Sequence, residues 1–377
     1  MSVAPSPAAA SRRPPMNIAV LVARYSISGV PLAQVRLARA LADHGHRVTL
    51  VFGYSADKLP PPIEGIDLRV WDSPQARGLL RPLMRLLRDD RPDIVFSAED
   101  HLNVLVLIAA LLTGSKARIS GSSRVTPFDT YSNRPLTKRW WLKQLARLTA
   151  VRADALTCVS KDMVGQYRTV FGDKARYQCI YNIVDDPANR ARLTEPVDDA
   201  WLGGGGAPVA VAAGSLQPWK GFDDAIEAVG RIRDDGRDLR LLILGEGPER
   251  GRLQAQIARL ALEDRVRLVG HVDNSLKYFA TADLFVLSSH VEGLPNVLVE
   301  AMMAGTSCVA TDCPTGPREV LGDGRFGKLV PMRDPAALAA GMLDALDHPV
   351  APDLAAEAVR PFGVATVLDQ HFRSLGL

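Results

Sequence analysis

The stretch Leu284-Phe285-Val286-Leu287-Ser288-Ser289-His290-Val291-Glu292-Gly293-Leu294-Pro295-Asn296-Val297-Leu298-Val299-Glu300 decides the fold. Leu284 to Leu287 read as a strand, Gly293-Leu294-Pro295 as a turn, and the residues after Pro295 as a short apolar helix that stops at Gly305. Proline suits the first helical position, where its missing N–H costs nothing, and glycine suits the position just past the end. The first amides of such a helix have no internal partner and carry partial positive charge, which favours a phosphate. Glu292 stands in front of those amides. Glu300 lies just over one turn into the helix, its side chain leaning back toward the N-terminus. Glutamate is rarely buried without a partner. Glu300 therefore either pairs with a nearby arginine or serves a site, where one acid on each side of an anion would hold the hydroxyls flanking a diphosphate.

The same strand-to-helix alternation runs outward in both directions. Before it, strands are expected at 17–23, 47–52, 93–97, 117–120, 155–160 and 177–181, with an amphipathic helix at 31–42 closed by Gly45. Residues 193–208, with Thr-Glu-Pro, two aspartates and Gly203 to Gly206, have the composition of a linker. The alternation then restarts, with strands at 209–213, 239–244, 266–269, 284–287, 308–310 and 328–330. Short apolar strands alternating with helices imply parallel, doubly wound sheets. The expected organisation is a tail at 1–15, a Rossmann-like domain at 16–192, the linker, a second Rossmann-like domain at 209–358, and a C-terminal helix at 359–377 crossing back to the first domain. Two such domains would face each other across a cleft at the carboxyl ends of their strands, where ligands bind in sheets of this kind.

Composition narrows the function. A chain of 377 residues, 47% hydrophobic and 23% charged, is globular and long enough for two cores. No apolar run approaches membrane-spanning length, and the first fifteen residues lack the apolar core of a signal peptide, so a cytoplasmic protein is expected. Cys158, Cys179, Cys308 and Cys313 show no metal-binding spacing and read as reduced thiols in or beside strands. Charge is uneven: residues 1–200 hold 28 Lys and Arg against 19 Asp and Glu, residues 201–377 hold 17 against 23. Two stretches concentrate the excess. Residues 76–90 set Arg77, Arg81, Arg85 and Arg88 beside five leucines, and residues 134–152 set Lys138, Arg139, Lys143 and Arg147 around Trp140 and Trp141. Basic amphipathic helices of this kind fit an anionic membrane interface, or an ordinary helix packing its leucines on a sheet. No nucleic-acid motif accompanies the charge.

Several loops carry candidate chemistry. Gly214-Ser215-Leu216-Gln217-Pro218-Trp219-Lys220-Gly221 joins a strand to a helix, and Lys220 there reads as a phosphate-binding point charge or a solvated lysine. Gly245-Glu246-Gly247-Pro248 is a weak phosphate-loop signal that fits a tight turn as well. Gly29, after the first strand, leaves room for a ligand to approach the backbone, or marks a plain turn. His101, just after the strand at 93–97, could position an acceptor hydroxyl or simply be exposed.

Taken in order, Lys220-Gly221, Gly245-Glu246-Gly247-Pro248, Gly270-His271-Val272, the Glu292-to-Glu300 spacing, and Ala301 to Gly305 followed by Thr311-Asp312 resemble the family 4 retaining glycosyltransferases of the GT-B class. The segment from Asp312 to Leu321 looks like the version in bacterial surface-polysaccharide enzymes. The resemblance covers nearly the whole chain after Met16 and is strongest in the second half. It implies a hexosyltransferase using a nucleoside-diphosphate sugar, UDP-sugar favoured, and a glycan acceptor that is lipid-linked. It further implies that Glu292 holds donor-sugar hydroxyls, that Glu300 holds the ribose, and that Lys220 with the amides of Gly293, Leu294, Pro295 and Asn296 neutralises the diphosphate. Backbone near His271 and Val272 would face the base, Gly29 would let the first domain close on the phosphates, His101 would serve the acceptor, and Asn182 would be structural.

Two positions depart from the pattern: Ser215 stands where the family often has arginine, and Ser28 replaces the first glycine of a pair. Arg318 or Arg124 could supply the missing cation. No Asp-x-Asp triplet occurs, so neither a metal nor a cofactor is expected. Lys220 and the helix terminus would take the metal's place on the leaving diphosphate, with the phosphate oxygen receiving the acceptor proton. Although two acids invite comparison with glycosidases, no protein nucleophile is then required. Two alternatives remain: a non-catalytic relative that only binds a nucleotide sugar, and a nicotinamide-dependent Rossmann oxidoreductase, which would need a G-x-G-x-x-G fingerprint that the first βαβ unit lacks.

Overall fold

A computed structural model describes residues 14–26, 29–55, 62–172 and 176–377, with the side chain of Arg77 excepted. Most of the expected tail, Ser28 and the Arg77 side chain lie outside it. The chain divides into two compact units. The first runs through Cys158 and adds Tyr167–Gln178 and Gln370–Leu377; the second takes Val159–Gln166 and Cys179–Asp369.

The first unit is built on a parallel sheet of seven strands: β1 (Asn17–Tyr25), β2 (Arg47–Ser55), β3 (Ile66–Val70), β4 (Ile94–Ala98), β5 (Arg118–Ser123), β6 (Ala155–Cys158) and β7 (Tyr177–Cys179). Their order is β3-β2-β1-β4-β5-β6-β7. The second sheet holds β8 (Val209–Ala213), β9 (Arg240–Leu244), β10 (Val266–Gly270), β11 (Leu284–Leu287), β12 (Ser307–Thr311) and β13 (Lys328–Val330), ordered β10-β9-β8-β11-β12-β13. In each sheet the chain winds one way from the first strand and then crosses to its other side. That places a topological switch point between β1 and β4 in one unit and between β8 and β11 in the other. Loops leave the two neighbouring strands in opposite directions there, opening a crevice at their carboxyl ends.

The strands form where Val, Ile and Leu run together, since both faces of a parallel sheet are covered by helices. Every residue of β8 and β11 is buried. Expected and observed strands agree except at their ends and at β3, whose half-exposed sequence Ile-Asp-Leu-Arg-Val is an edge strand with a weak apolar signal. The strand expected at 155–160 stops at Cys158, and Ser160 instead caps the next helix, its hydroxyl accepting from the Met163 amide at 3.3 Å.

The linker expected at 193–208 and the boundary at 192 are corrected. The division falls after Gln178, because the segment beyond it is packed onto the second unit. Asn274 donates to the Arg192 carbonyl and to Glu195, each at 2.8 Å, and Trp201 lies under the guanidinium groups of Arg240 and Arg267. Composition signals a lack of secondary structure there, and it is silent about tertiary contacts. At the C-terminus, Gln370–Leu377 counts with the first unit, where His371 meets Phe96 edge-on at 5.1 Å.

The two basic stretches part ways. Leu79, Leu83, Leu86 and Leu87 join the core cluster of the first unit, so residues 76–90, which run from a 3-10 turn through the short α-helix Leu80–Arg85 into a π-helical segment, pack their leucines inward. The helix Lys138–Thr149 is turned the other way: Lys143 and Thr149 are buried while Trp141, Leu145 and Leu148 are exposed.

Candidate active site

The switch point of the second unit brings the Leu284–Glu300 stretch against the Lys220 turn. Lys220 comes after β8, Glu292 after β11, and the Lys220 ammonium meets Glu292 Oε1 at 2.6 Å. Ser289 donates to the same oxygen at 2.6 Å. Among the described residues the second oxygen, Oε2, has no hydrogen-bond partner. The pair is largely sheltered, with 18% and 10% of the two side chains exposed.

Glycine makes this approach possible. A Cβ on Gly221 would lie 2.1 Å from the Ser288 carbonyl oxygen and 2.9 Å from His290 Nε2, and the residue has φ +60°. The turn is then tied down by Ser288 Oγ donating to the Lys220 carbonyl at 2.9 Å and by the His290 amide donating to the Trp219 carbonyl at 2.8 Å. His290 is itself held by Asp224, with Nε2 2.7 Å from Oδ2.

From the other side, Thr315 fixes the Glu292 loop. Its amide and hydroxyl each donate to the Glu292 carbonyl at 3.0 Å, and the hydroxyl also reaches the Gly293 carbonyl at 2.8 Å. The Glu292 amide returns the contact to the Pro314 carbonyl at 2.8 Å. Ser289 and Thr315 escaped sequence reading. Ser289 is close to Glu292 in sequence, whereas Thr315 carries no local signal because its partners lie over twenty residues away.

The helix begins at Asn296, with Pro295 as its N-cap and no side-chain cap. Four consecutive anion-binding amides were expected over Gly293 to Asn296, and the structure leaves two. Proline has no N–H, and the Asn296 amide donates to the Leu294 carbonyl at 2.9 Å. The amides of Gly293 and Leu294 donate to nothing among the described residues, and they directly follow Glu292 in the chain. Asn182 donates to Asn296 Oδ1 at 2.9 Å. Glu300 is buried on the same helix, 7% exposed.

The remaining positions vary in how they are placed. Ser215 is exposed in the loop after β8, and His271 and Val272 come after β10, His271 exposed and Val272 half-buried. Arg318, offered with Arg124 as a cation in place of an arginine at 215, is exposed and has its guanidinium paired with Asp312 at 3.0 Å and with Asp323. Arg124 belongs to the first unit, as do Gly29 and His101. A Cβ on Gly29 would meet no atom within 4 Å, so packing does not demand glycine there. Glycine is demanded in the loop after β9, because a Cβ on Gly245 or Gly247 would run into the backbone of Gly214 or Leu216. Gly245-x-Gly247 is therefore explained by two backbones in contact. Among the described residues no group of three or more His, Cys, Asp or Glu could hold a metal ion.

Two doubly wound units, one carrying a lysine–glutamate pair and two unpaired amides at its switch point, define an α/β protein of two parallel sheets. The family model for "Glycosyl transferases group 1" matches residues 207–348, and that for "Glycosyltransferase Family 4" matches residues 27–186. Over 269 residues, 70% of this chain and 69% of the relative, the sequence is 36% identical to the Campylobacter jejuni N-acetylgalactosamine-N,N'-diacetylbacillosaminyl-diphospho-undecaprenol 4-alpha-N-acetylgalactosaminyltransferase. It is 33% identical over 185 residues, 49% of each chain, to the lipopolysaccharide core biosynthesis glycosyltransferase LpsE of Rhizobium meliloti. Anabaena HepE, solved with UDP and glucose, superposes with a TM-score of 0.73 at 20% identity, covering 96% of this chain and 99% of that one. The chain belongs to the family 4 glycosyltransferases and has the GT-B architecture.

Proposed function

We propose that this glycosyltransferase moves a hexose or N-acetylhexosamine from a UDP-sugar, with retention and without a metal, to a lipid-linked glycan in bacterial surface-polysaccharide synthesis. The observation that carries this reading is the Lys220–Glu292 pair across the β8–β11 switch point, with the free Gly293 and Leu294 amides beside it. An ammonium offers three donors. With one on Glu292, the other two reach the diphosphate together with the two amides, where negative charge develops as the glycosidic bond breaks. The free oxygen of Glu292 accepts from a sugar hydroxyl, Glu300 holds the ribose, and the loop at His271 and Val272 borders the base. Gly29 serves the donor phosphates and His101 the acceptor. No cofactor is needed beyond the donor.

A UDP-bound neighbour supports the choice of nucleotide, and the names of the Campylobacter and Rhizobium relatives support a lipid-linked glycan as acceptor. The reading predicts UDP release from a UDP-hexose or UDP-N-acetylhexosamine that survives EDTA, and a product whose anomeric proton coupling in NMR matches that of the donor. An inverted product or abolition by EDTA sinks the retaining, metal-free mechanism. A stabilising thermal shift from UDP without any turnover would favour a binder only.

The outward-turned helix Lys138–Thr149 supports a reaction at the cytoplasmic face of a membrane. Leu148 is 71% exposed and Val151, just beyond the helix, 85%. Between Asp129 and Asp154 there are six Lys and Arg and no acid. An apolar ridge within a purely basic stretch suits an anionic lipid interface. No helix among the described residues is long and apolar enough to cross a membrane. The protein should float with phosphatidylglycerol vesicles at low salt, and Leu148→Glu should abolish flotation while leaving UDP release unchanged. Failure of the wild-type protein to float removes the membrane from the reading.

A further inference from the structure

At the switch point of the first unit, β4 ends at Ala98 and the next residue, Glu99, has φ +81° and ψ 132°. A non-glycine residue in such a region is strained and persists only where its surroundings hold it. The surroundings here are unusually well fixed. The Glu99 amide donates to the Ser122 carbonyl at 3.0 Å and its carbonyl accepts from the Asn103 amide at 2.9 Å. Asn103 is locked by Ser97 Oγ at 2.7 Å and by its own donation to the Ser122 carbonyl at 3.0 Å. Next door, the Asp100 carboxylate takes hydroxyl donors from Ser123, Tyr131 and Tyr167, each at 2.8 Å. Asp100 is thereby a structural acid with its acceptors in use.

Glu99 is its opposite. Its side chain is 34% exposed, accepts no hydrogen bond among the described residues, and has His101 Nε2 at 3.7 Å. A rigid platform thus holds one solvent-reaching carboxylate, with no protein hydrogen-bond donor among the described residues, in a strained conformation at the crevice of a parallel sheet. The carboxylate itself repels a phosphate, even with His101 and Arg124 near it, and no metal-binding group accompanies it among the described residues. The chemistry left is hydrogen-bond acceptance from a neutral polyhydroxylated ligand. We propose that Glu99 binds the glycan acceptor, its carboxylate accepting a hydrogen bond from the acceptor hydroxyl and orienting it, with His101 beside it. The proton stays on the hydroxyl in this contact, so no further reactant is required. This assignment rests on the proposed glycosyltransferase function and adds to it a residue beside His101.

The charged groups around Glu99 set a pH signature. Burial raises its carboxyl above the ordinary range; His101 opposes this, Asp100 adds to it, and Arg124 from the end of β5 opposes it again. Burial lowers the Arg124 guanidinium to about 10, with Glu99 countering, and lowers His371, which faces Arg124, to about 3. A raised pKa means that the accepting carboxylate is lost earlier as pH falls, so acceptor use should drop on the acid side through that pKa while donor binding does not.

The test compares wild type, Glu99→Gln and Glu99→Gly with UDP-sugar donors and a panel of octyl glycosides as acceptors. Glu99→Gln should raise acceptor KM about 10-fold or more, the scale of one hydrogen bond to a charged group, and should flatten the acid limb of acceptor kcat/KM. UDP release without acceptor, and the thermal shift by UDP, should stay within about twofold and unchanged respectively, as expected for sites on separate contacts. Glu99→Gly should lose acceptor use in the same way and yet raise Tm, since glycine relieves the backbone. A wild-type acceptor KM and pH profile in Glu99→Gln overturns the proposal, as does a fall of Tm in Glu99→Gly with acceptor KM intact, which would mark a purely structural acid. If wild type releases no UDP from any donor, the glycosyltransferase function fails and the role of Glu99 goes with it.

Discussion

Lys220→Ala is expected to lower turnover by about 10²-fold or more while the protein stays folded, the scale of losing one donor that stabilises a developing oxyanion. The cause is electrostatic. Lys220 is the cation that the turn after β8 delivers to the switch point, and Gly221 lets that turn lie on Ser288 and His290. In the proposed reaction, removing the ammonium would take a positive charge from the leaving diphosphate, and it also leaves the Glu292 carboxylate with Ser289 as its hydrogen-bond donor. Glu292 then sits as a sheltered charge without a counter-ion, which costs more than a surface pair would. The two effects separate experimentally. Loss of stabilisation in the transition state appears in kcat, whereas misplacement of Glu292 appears in donor KM and in the thermal shift by UDP. Unchanged kcat in a folded Lys220→Ala protein removes Lys220 from the chemistry.

Gly245→Ala should destabilise the second unit by about 2–6 kcal/mol, the sum expected for backbone strain and overpacking. An ideal Cβ there lies 1.9 Å from the Gly214 carbonyl oxygen, and φ is +141°. Neither backbone can retreat, because the Gly214 amide donates to the Leu244 carbonyl at 2.9 Å and the Gly245 amide to the Gly270 carbonyl at 2.7 Å. Against a total stability of about 5–15 kcal/mol this is a large share, and Tm should fall by roughly 5–20 °C. Gly251→Ala is the control. It lies in the helix Arg250–Arg259 with no atom within 4 Å of its Cβ, so alanine should be neutral or stabilising. Equal Tm values for the two variants would refute the close-approach explanation of the Gly245-x-Gly247 motif.

Much of the fold and part of the site can be read from local sequence, for a definite reason. A strand buried on both faces needs an unbroken apolar run, and a helix start needs special residues, so β8, β11 and the helix after Pro295 announce themselves within a few residues. Glu292 and Lys220 are visible because each is a charge at the end of such a strand. Pro295 likewise shows in the sequence that four consecutive amides cannot all donate. Glu99 does not stand out in the sequence, because nothing in Ala98-Glu99-Asp100-His101 says which of three polar residues is satisfied. That depends on Ser123, Tyr131 and Tyr167, which are distant in sequence.

The sequence by itself determined two alternating α/β patterns, the charge placed at the strand ends, and the motif order that marks a family 4 glycosyltransferase. These arise from periodicity and short-range chemistry, which a linear chain records directly. Only the tertiary structure decided that Lys220 and Glu292 share one hydrogen-bonded pair, and that Thr315 fixes the Glu292 loop. It also decided that residues 193–208 are packed against the second unit, and that the helix Lys138–Thr149 turns Trp141, Leu145 and Leu148 outward. Pairing, packing and the choice of exposed face are set by residues far apart in the chain, and their free energy exists only once the backbone has brought them within a few ångströms.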